Sequence, residues 1–364
     1  MKERPIIAVT GSAGKSTTKE MIASILKKRW DIYKSRANLN HYRATQKHKQ
    51  KIKKRHQGIV LEYGMGGKGS ITKHCNTIKP TIGVITNIGT AHVGYFGGKV
   101  RGIAKEKSKL IKGMKQNGIL FLNADDPNSR LLYTGFKGKI VKTGYKQKAD
   151  YFASNIQYVD KGMTFDTNLD RKKYSFFIPI FGFHHISNAL FAIAVSHQLG
   201  FNAEDIKKGL ERFHKMKRRF NLFHLGKGIK VIDDTYSSNP HSAKAAIDVL
   251  VESISDHKRV VVLGSMLNLG KYSVQGHTEV GKYIAEKKID LLFTVGSKAK
   301  LIGDSAINSG FPSTCVKHFS SKKTLHAVLR HKLEANSTIL VKGSNKLRMN
   351  QTVRFIRNVF KKSK

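Results

Sequence analysis

The sequence predicts an α/β protein built on mostly parallel sheets, and three observations carry that expectation. Short apolar runs alternate with segments of helical periodicity along nearly the whole chain, the rhythm of strand, helix and returning parallel strand. The first run, Ile6-Ile7-Ala8-Val9, passes through a glycine-containing loop into a helix-like segment from Thr18 to Lys28. The same rhythm restarts near Phe220, which divides the chain into expected domains of residues 1–220 and 221–364. With 364 residues, 40% of them apolar, there is enough chain for two cores.

The loop after the first strand, Thr10 to Thr17, contains Gly-x-x-Gly-Lys-Ser. Gly11 and Gly14 let the backbone N–H groups of Gly11, Ser12, Ala13, Gly14 and Thr17 turn around phosphate oxygens, and the next helix adds its positive end. Lys15 would reach the outer phosphates and Ser16 would ligate Mg²⁺; a plain turn with an N-cap is the simpler alternative. Asn38 to Thr45 reads as a polar loop. Lys47 to His56 is a dense basic run, a solvated helix face or a polyanion contact. Gly58 to Glu62 reads as a buried strand ending in a carboxylate, with glycine-rich Gly64 to Gly69 behind it. A strand from Thr81 to Thr86 runs into Asn87-Ile88-Gly89-Thr90-Ala91-His92. Glu62 and His92 are thus expected at strand C-termini, the edge where open α/β sheets bind ligands.

A helix is expected from about Gly102 to Met114, with Ile103, Leu110, Ile111 and Met114 on one face and Lys105, Lys109 and Lys112 opposite. Lys107 falls within the apolar face. Either its stem packs while the ammonium snorkels to water, or the amine is paired or chemically changed. Ile119 to Leu122 is a strand that ends in the turn Asn123 to Pro127. Alternating runs between Tyr151 and Ile180 suggest antiparallel hairpins. A helix follows from Ser187 to Leu199, stopped by Gly200, and another from Glu204 leads into Lys215 to Phe220. Strands near Ile229 to Ile232, Arg259 to Leu263, Leu291 to Val295 and Ile339 to Val341 complete the pattern.

Composition bounds the partners. There are 67 Lys and Arg against 24 Asp and Glu, a formal net charge of +43. Such a field attracts polyanions, whether nucleic acid, acidic polymer or anionic membrane. Cys75 and Cys315 lack metal-ligand spacing, which argues against a disulfide framework or a zinc site. The start of the chain lacks a signal-type apolar core, and no run approaches the ~18 apolar residues of a membrane span. A soluble, cytoplasmic protein is expected.

Taken in order, the motifs resemble one family, the Mur ligases, and within it the D-alanyl-D-alanine-adding branch. The likeness runs through Thr10 to Met21, Glu62-Tyr63-Gly64-Met65, Thr86 to His92, Ile103 to Leu110, Asn123 to Pro127 and Gly182 to Leu190. It continues through Asp233 to Pro240, Val262 to Met266 and Val341 to Met349. The resemblance implies a central P-loop ATPase domain and a C-terminal Rossmann-like domain. It implies a reaction in which ATP phosphorylates a substrate carboxylate and an amine attacks the acyl phosphate to give an amide, ADP and phosphate. It implies two Mg²⁺ held by Ser16, Glu62, His92 and Lys107, with Lys15 as a further cation and Lys107 carbamylated by CO₂. It further places Asn188 at adenine, Arg219 at phosphate and Asp234 near ribose.

The chain also departs from the family pattern. It begins at the phosphate loop, so the family's UDP-binding N-terminal domain is expected to be absent and the acid to be an anionic, non-nucleotide peptide or polymer. Lys109 stands where Glu is common, His185 and Ser237 where Asn is, Ser265 for Asp and Asn268 for Glu, and Lys346-Leu347 replaces a glycine-containing form. Two other readings accompany the amide ligase: a peptidoglycan ligase whose missing domain comes from a partner, and a non-catalytic nucleotide-binding protein whose basic surface holds nucleic acid or cell-wall polymer.

Overall fold

The computed structural model describes residues 4–36, 39–133, 135–252 and 257–361; Asn38, where the expected polar loop begins, lies outside them. The chain forms two compact units, Met1–Met216 and Lys217–Lys364.

The first unit contains β1 (Ile6–Thr10), α1 (Lys15–Leu26), β2 (Ile32–Lys34), α2 (Tyr42–Lys51), β3 (Gly58–Glu62), α3 (Ser70–Thr77), β4 (Ile82–Ile85) and α4 (Val100–Gly113). After these come β5 (Ile119–Asn123), β6 (Lys139–Gly144), β7 (Tyr151–Phe152), β8 (Ser154–Val159), β9 (Gly162–Leu169), β10 (Lys172–Ile178), α5 (Phe183–Gln198) and α6 (Ala203–Glu211). Seven strands form one parallel sheet in the order β2-β3-β1-β4-β5-β6-β7, and β8 to β10 form a separate antiparallel sheet. β1, β3 and β4 are almost wholly buried and read as unbroken apolar runs, as strands covered on both faces must. Register then sets the site: Val9 pairs with Glu62 and Thr10 with Ile85, so the glycine loop, Glu62 and the Thr86-Asn87 segment leave the sheet at one edge.

Helices cover this sheet through small and aliphatic side chains. Met21, Ile22, Ile25 and Leu26 of α1 and Ile186, Leu190, Phe191 and Ile193 of α5 are buried, each such side chain stabilising the unit by about 1.5–3 kcal/mol. Gly209 of α6 sits so close to α1 that a Cβ would fall 2.5 Å from the Ile25 Cα.

Several expected boundaries move. α2 begins at Tyr42, inside the expected loop, because the His41 side chain caps it by accepting the Ala44 N–H. It ends at Lys51, so Lys53, Lys54 and Arg55 lie beyond the helix; they and Lys47, Lys49 and Lys51 are exposed, while His48 and His56 turn inward. α5 begins at Phe183 rather than Ser187, with Gly182 as its N-cap, and stops before Gly200, which is left-handed at φ 84°. α6 ends at Glu211, short of the basic run after it.

The second unit contains β11 (Asn221–His224), β12 (Lys230–Asp234), α7 (Pro240–Glu252), β13 (Lys258–Gly264), α8 (Ser273–Ala285), β14 (Leu291–Val295), α9 (Lys300–Asn308), β15 (Val316–Phe319), α10 (Lys322–Lys332), β16 (Ser337–Lys342) and α11 (Asn350–Val359). Its sheet runs β11-β12-β16-β13-β14-β15 and is parallel except for the antiparallel edge strand β11. Val231, Val260, Val262, Ile339 and Val341 meet Leu325, Leu329, Val353 and Ile356 of α10 and α11 in one apolar cluster. Both units bear out the α/β expectation. Among the described residues, no helix is long and apolar enough to cross a membrane.

Candidate active site

The glycine loop is shaped by what its glycines must avoid. Gly14, the N-cap of α1, is left-handed at φ 78°, and a Cβ there would lie 2.3 Å from Asn188 Oδ1. At Gly11 (φ 151°) a Cβ would meet Thr86 Oγ1 at 1.8 Å. Only glycine fits either position. The end of β4 then braces the loop. The Thr86 hydroxyl donates to Ala13 O at 2.6 Å, and Asn87 Oδ1 accepts from Ser12 N at 3.0 Å and Ala13 N at 2.9 Å. The Ser12 hydroxyl donates to Gly89 O at 3.0 Å. Thr17 is buried in the first turn of α1.

Lys15 Nζ donates to Gly11 O at 2.9 Å. The buried Ser16 hydroxyl donates to Glu62 Oε2 at 2.6 Å, and Asn40 Nδ2 donates to Glu62 Oε1 at 2.7 Å. The Glu62 side chain, in a residue 1% exposed, is thereby held at both oxygens. Asn40 was not among the residues expected here; its carbonyl also accepts the Gly64 N–H at 2.8 Å. Its only sequence signal is an Asn in the polar stretch before α2.

His92 does not sit on a strand end. It lies in the loop beyond β4 with a left-handed backbone, φ 64°, a conformation costly for residues other than Gly and concentrated at functional sites. Its Nδ1 is buried without a hydrogen-bond partner. Burial first, then the charges of Lys15 and Lys107, push its imidazole down to about 4, so it is neutral near pH 7. Lys107 is 1% exposed, which removes the snorkelling alternative. Among the described residues its ammonium has no hydrogen bond or ion pair. Burial and the charge of Lys15 hold this amine well below its ordinary value, against an opposing pull from Glu106. Lys15, His92 and Lys107 therefore share one electrostatic neighbourhood, and Ser16, the residue after Lys15, is hydrogen-bonded to Glu62.

Asn188, on α5, braces the loop from the other side. Its Oδ1 accepts from the Thr18 hydroxyl at 3.1 Å and its Nδ2 lies 3.1 Å from His185 Nδ1. Arg219 and Asp234 belong to the second unit. There the Arg219 guanidinium lies 4.4 Å from the centre of the Tyr236 ring. Asp234, at the end of β12, pairs with buried Lys342 at 2.6 Å, and Lys342 also donates to Ser237 O at 2.8 Å. Ser265 Oγ accepts the Ala299 N–H at 3.1 Å, and Asn268 is left-handed at φ 64°. Among the described residues, no three His, Cys, Asp or Glu side chains converge as a ready-made metal cage. Mg²⁺ seldom needs one, since it usually takes one or two carboxylates with phosphates and waters.

Two family models match the chain in succession: the Mur ligase middle domain over residues 9–196 and the Mur ligase glutamate ligase domain over residues 218–345. The chain belongs to the Mur ligase family. Mur ligases form C–N bonds with ATP, and this chain is a ligase of that kind. It is similar to the UDP-N-acetylmuramoyl-tripeptide–D-alanyl-D-alanine ligase of Bacillus subtilis strain 168, at 33% identity over 350 residues, covering 96% of this chain and 75% of that protein. It is also similar to the crystal structure of MurF from Acinetobacter baumannii, at 30% identity and TM-score 0.87, covering 98% of this chain and 76% of that one. The fold alone is shared with the ADP complex of MurF ligase from Thermotoga maritima, at 22% identity and TM-score 0.84, covering 98% and 80%. Each Mur domain match falls inside one of the two compact units.

Proposed function

We propose that this Mur ligase joins a peptidoglycan-precursor peptide carboxylate to the amine of a short peptide such as D-alanyl-D-alanine, with ATP activating the acid as an acyl phosphate. One observation carries the reading: Lys15, the Ser16–Glu62 pair, the orphaned His92 Nδ1 and the unpaired, buried Lys107 gather beside one phosphate-type loop. A scaffold protein has no use for that set. Similarity to the named relatives supports the choice of acid and amine.

The residues fit divalent cations. Ser16 and Glu62 present hard oxygens already in contact, which suits Mg²⁺. His92 offers a neutral ring nitrogen with nothing to bond. Lys107 fits only if its charge is reversed, because a buried ammonium within electrostatic reach of His92 and Lys15 repels a cation; carbamylation by CO₂ turns it into an anionic oxygen donor. When bound, Mg²⁺ would neutralise the triphosphate and the substrate carboxylate at close range. The chain's own groups do the rest. Asn87 holds the loop through the Ser12 and Ala13 amides, the positive N-terminal end of α1 orients the phosphates, and Lys15 leaves Gly11 O to stabilise charge on the transferred phosphoryl group. A carboxylate oxygen of the acid attacks the γ-phosphorus and ADP leaves. The amine nitrogen then attacks the acyl carbon, loses a proton, and phosphate departs.

Purified protein with ATP, Mg²⁺, UDP-N-acetylmuramoyl-tripeptide and D-alanyl-D-alanine is expected to release phosphate only when acid and amine are both present. Release that ignores the amine, or none with any acid and amine pair, would count against the proposal.

A further inference from the structure

Glu106 directly precedes Lys107 on α4 and is 2% exposed. Its carboxylate has three donors: Oε2 accepts from Gly69 N at 3.0 Å and from Lys109 Nζ at 2.7 Å, and Oε1 accepts from Ile71 N at 3.1 Å. Gly69 is the N-cap of α3 and Ile71 lies in its first turn, so an acid on one helix satisfies amides that the start of another leaves without partners.

The segment so fixed is the loop that leaves Glu62. Its near end is held where Gly64 N meets Asn40 O. Its far end has little of its own to hold it. Gly67 and Gly69 carry φ of 157° and 81°, and a Cβ at either would find nothing within 4 Å. The other bonds there are local, Gly66 N to Ser70 Oγ and the Ser70 hydroxyl to Gly67 O. Glu106 supplies the tie from α4.

We propose that Glu106 is a positioning residue of the ligase site: its carboxylate ties the turn of α4 that carries Lys107 to the loop that leaves Glu62, and so fixes the spacing between Glu62 and Lys107. The inference rests on the reading of those two residues as metal ligands. It also gives Lys109, a departure from the family pattern, a physical role. Carbamylated Lys107 and Glu106 would be anions on consecutive residues, and Lys109 neutralises the second without taking it from the loop amides.

The test uses Mn²⁺ as probe, with binding to the full chain followed by electron paramagnetic resonance in the presence of ADP. Glu106→Gln is expected to weaken Mn²⁺ binding roughly tenfold and to raise the Mg²⁺ needed for half-maximal turnover by a similar factor, the effect usual for groups that orient metal ligands. The charge swap Glu106→Lys with Lys109→Glu keeps a helical ion pair but removes the acceptor for Gly69 and Ile71, so it is expected to be equally weakened. Unchanged Mn²⁺ binding in Glu106→Gln, or wild-type binding in the swap, would overturn the proposal by reducing Glu106 to an ion-pair partner. If Glu106→Gln does not fold, Glu106→Asp, with the acceptor on a shorter arm, takes its place with the same expected weakening and the same contrary result. Absence of Mn²⁺ binding in the wild type would instead fell the metal reading, and this proposal with it.

Discussion

At the scale of single residues, the site depends on groups that would be unfavourable anywhere else. A buried lysine without a partner and a left-handed histidine with an orphaned ring nitrogen each destabilise the fold, and their coincidence next to Lys15 is what ligand binding would explain. Lys107→Ala is expected to lower turnover at least about a hundredfold, the scale of losing one preorganised group around developing charge. A short carboxylic acid with bicarbonate should restore part of it, since a diffusible carboxylate can stand where the carbamate stood; full activity in the variant would remove the carbamate from the account. Asn40→Ala leaves Glu62 Oε1 without its donor and is expected to raise the Mg²⁺ requirement roughly tenfold with a smaller effect on the limiting rate, read from Mg²⁺ titrations at saturating ATP. Lys15, Ser16 and Glu62 were legible in the sequence because each belongs to a short local pattern. Asn40 and Glu106 were not, because their partners lie tens of residues away and nothing local distinguishes them from other polar side chains.

At the scale of elements, two packing features make further expectations. The start of α1 lies against α5 through Gly14, so Gly14→Ala forces a Cβ into the Asn188 amide at a left-handed position. A loss of roughly 2 kcal/mol or more in stability, together with loss of ATP binding, is expected in denaturant unfolding and nucleotide titration. α3 carries His74, fully buried and stacked on Tyr63 at 4.6 Å. Its Nε2 donates to Gly64 O, so Nδ1 accepts from the Thr45 hydroxyl and the ring is neutral. Burial pushes it down to about 4 from an ordinary 6.5. Its contribution is therefore complete above pH 6.5 and is lost as pH falls towards 4, amounting to roughly 3 kcal/mol at most. Unfolding curves between pH 7 and pH 4.5 should fall more steeply for the wild type than for His74→Gln; parallel curves would show that His74 does not titrate in this range. Element boundaries were the least legible feature. α2 starts where a histidine happens to cap it, and β2, β11 and β15 are short edge strands with too few apolar residues to stand out.

At the scale of the whole molecule, the α/β class was visible because it follows from a repeated pattern that no single residue decides. The charge of +43 is a separate property of the surface. It is expected to give heparin or nucleic acid binding that falls steeply with salt and is the same in Lys15→Ala, which distinguishes it from the nucleotide site. Activation of the acid by ATP is recorded in the route of one oxygen atom. With ¹⁸O in the substrate carboxylate, a ligase that activates the acid as an acyl phosphate delivers one labelled oxygen to inorganic phosphate for each amide formed. That is the predicted result; unlabelled phosphate beside labelled amide would contradict it.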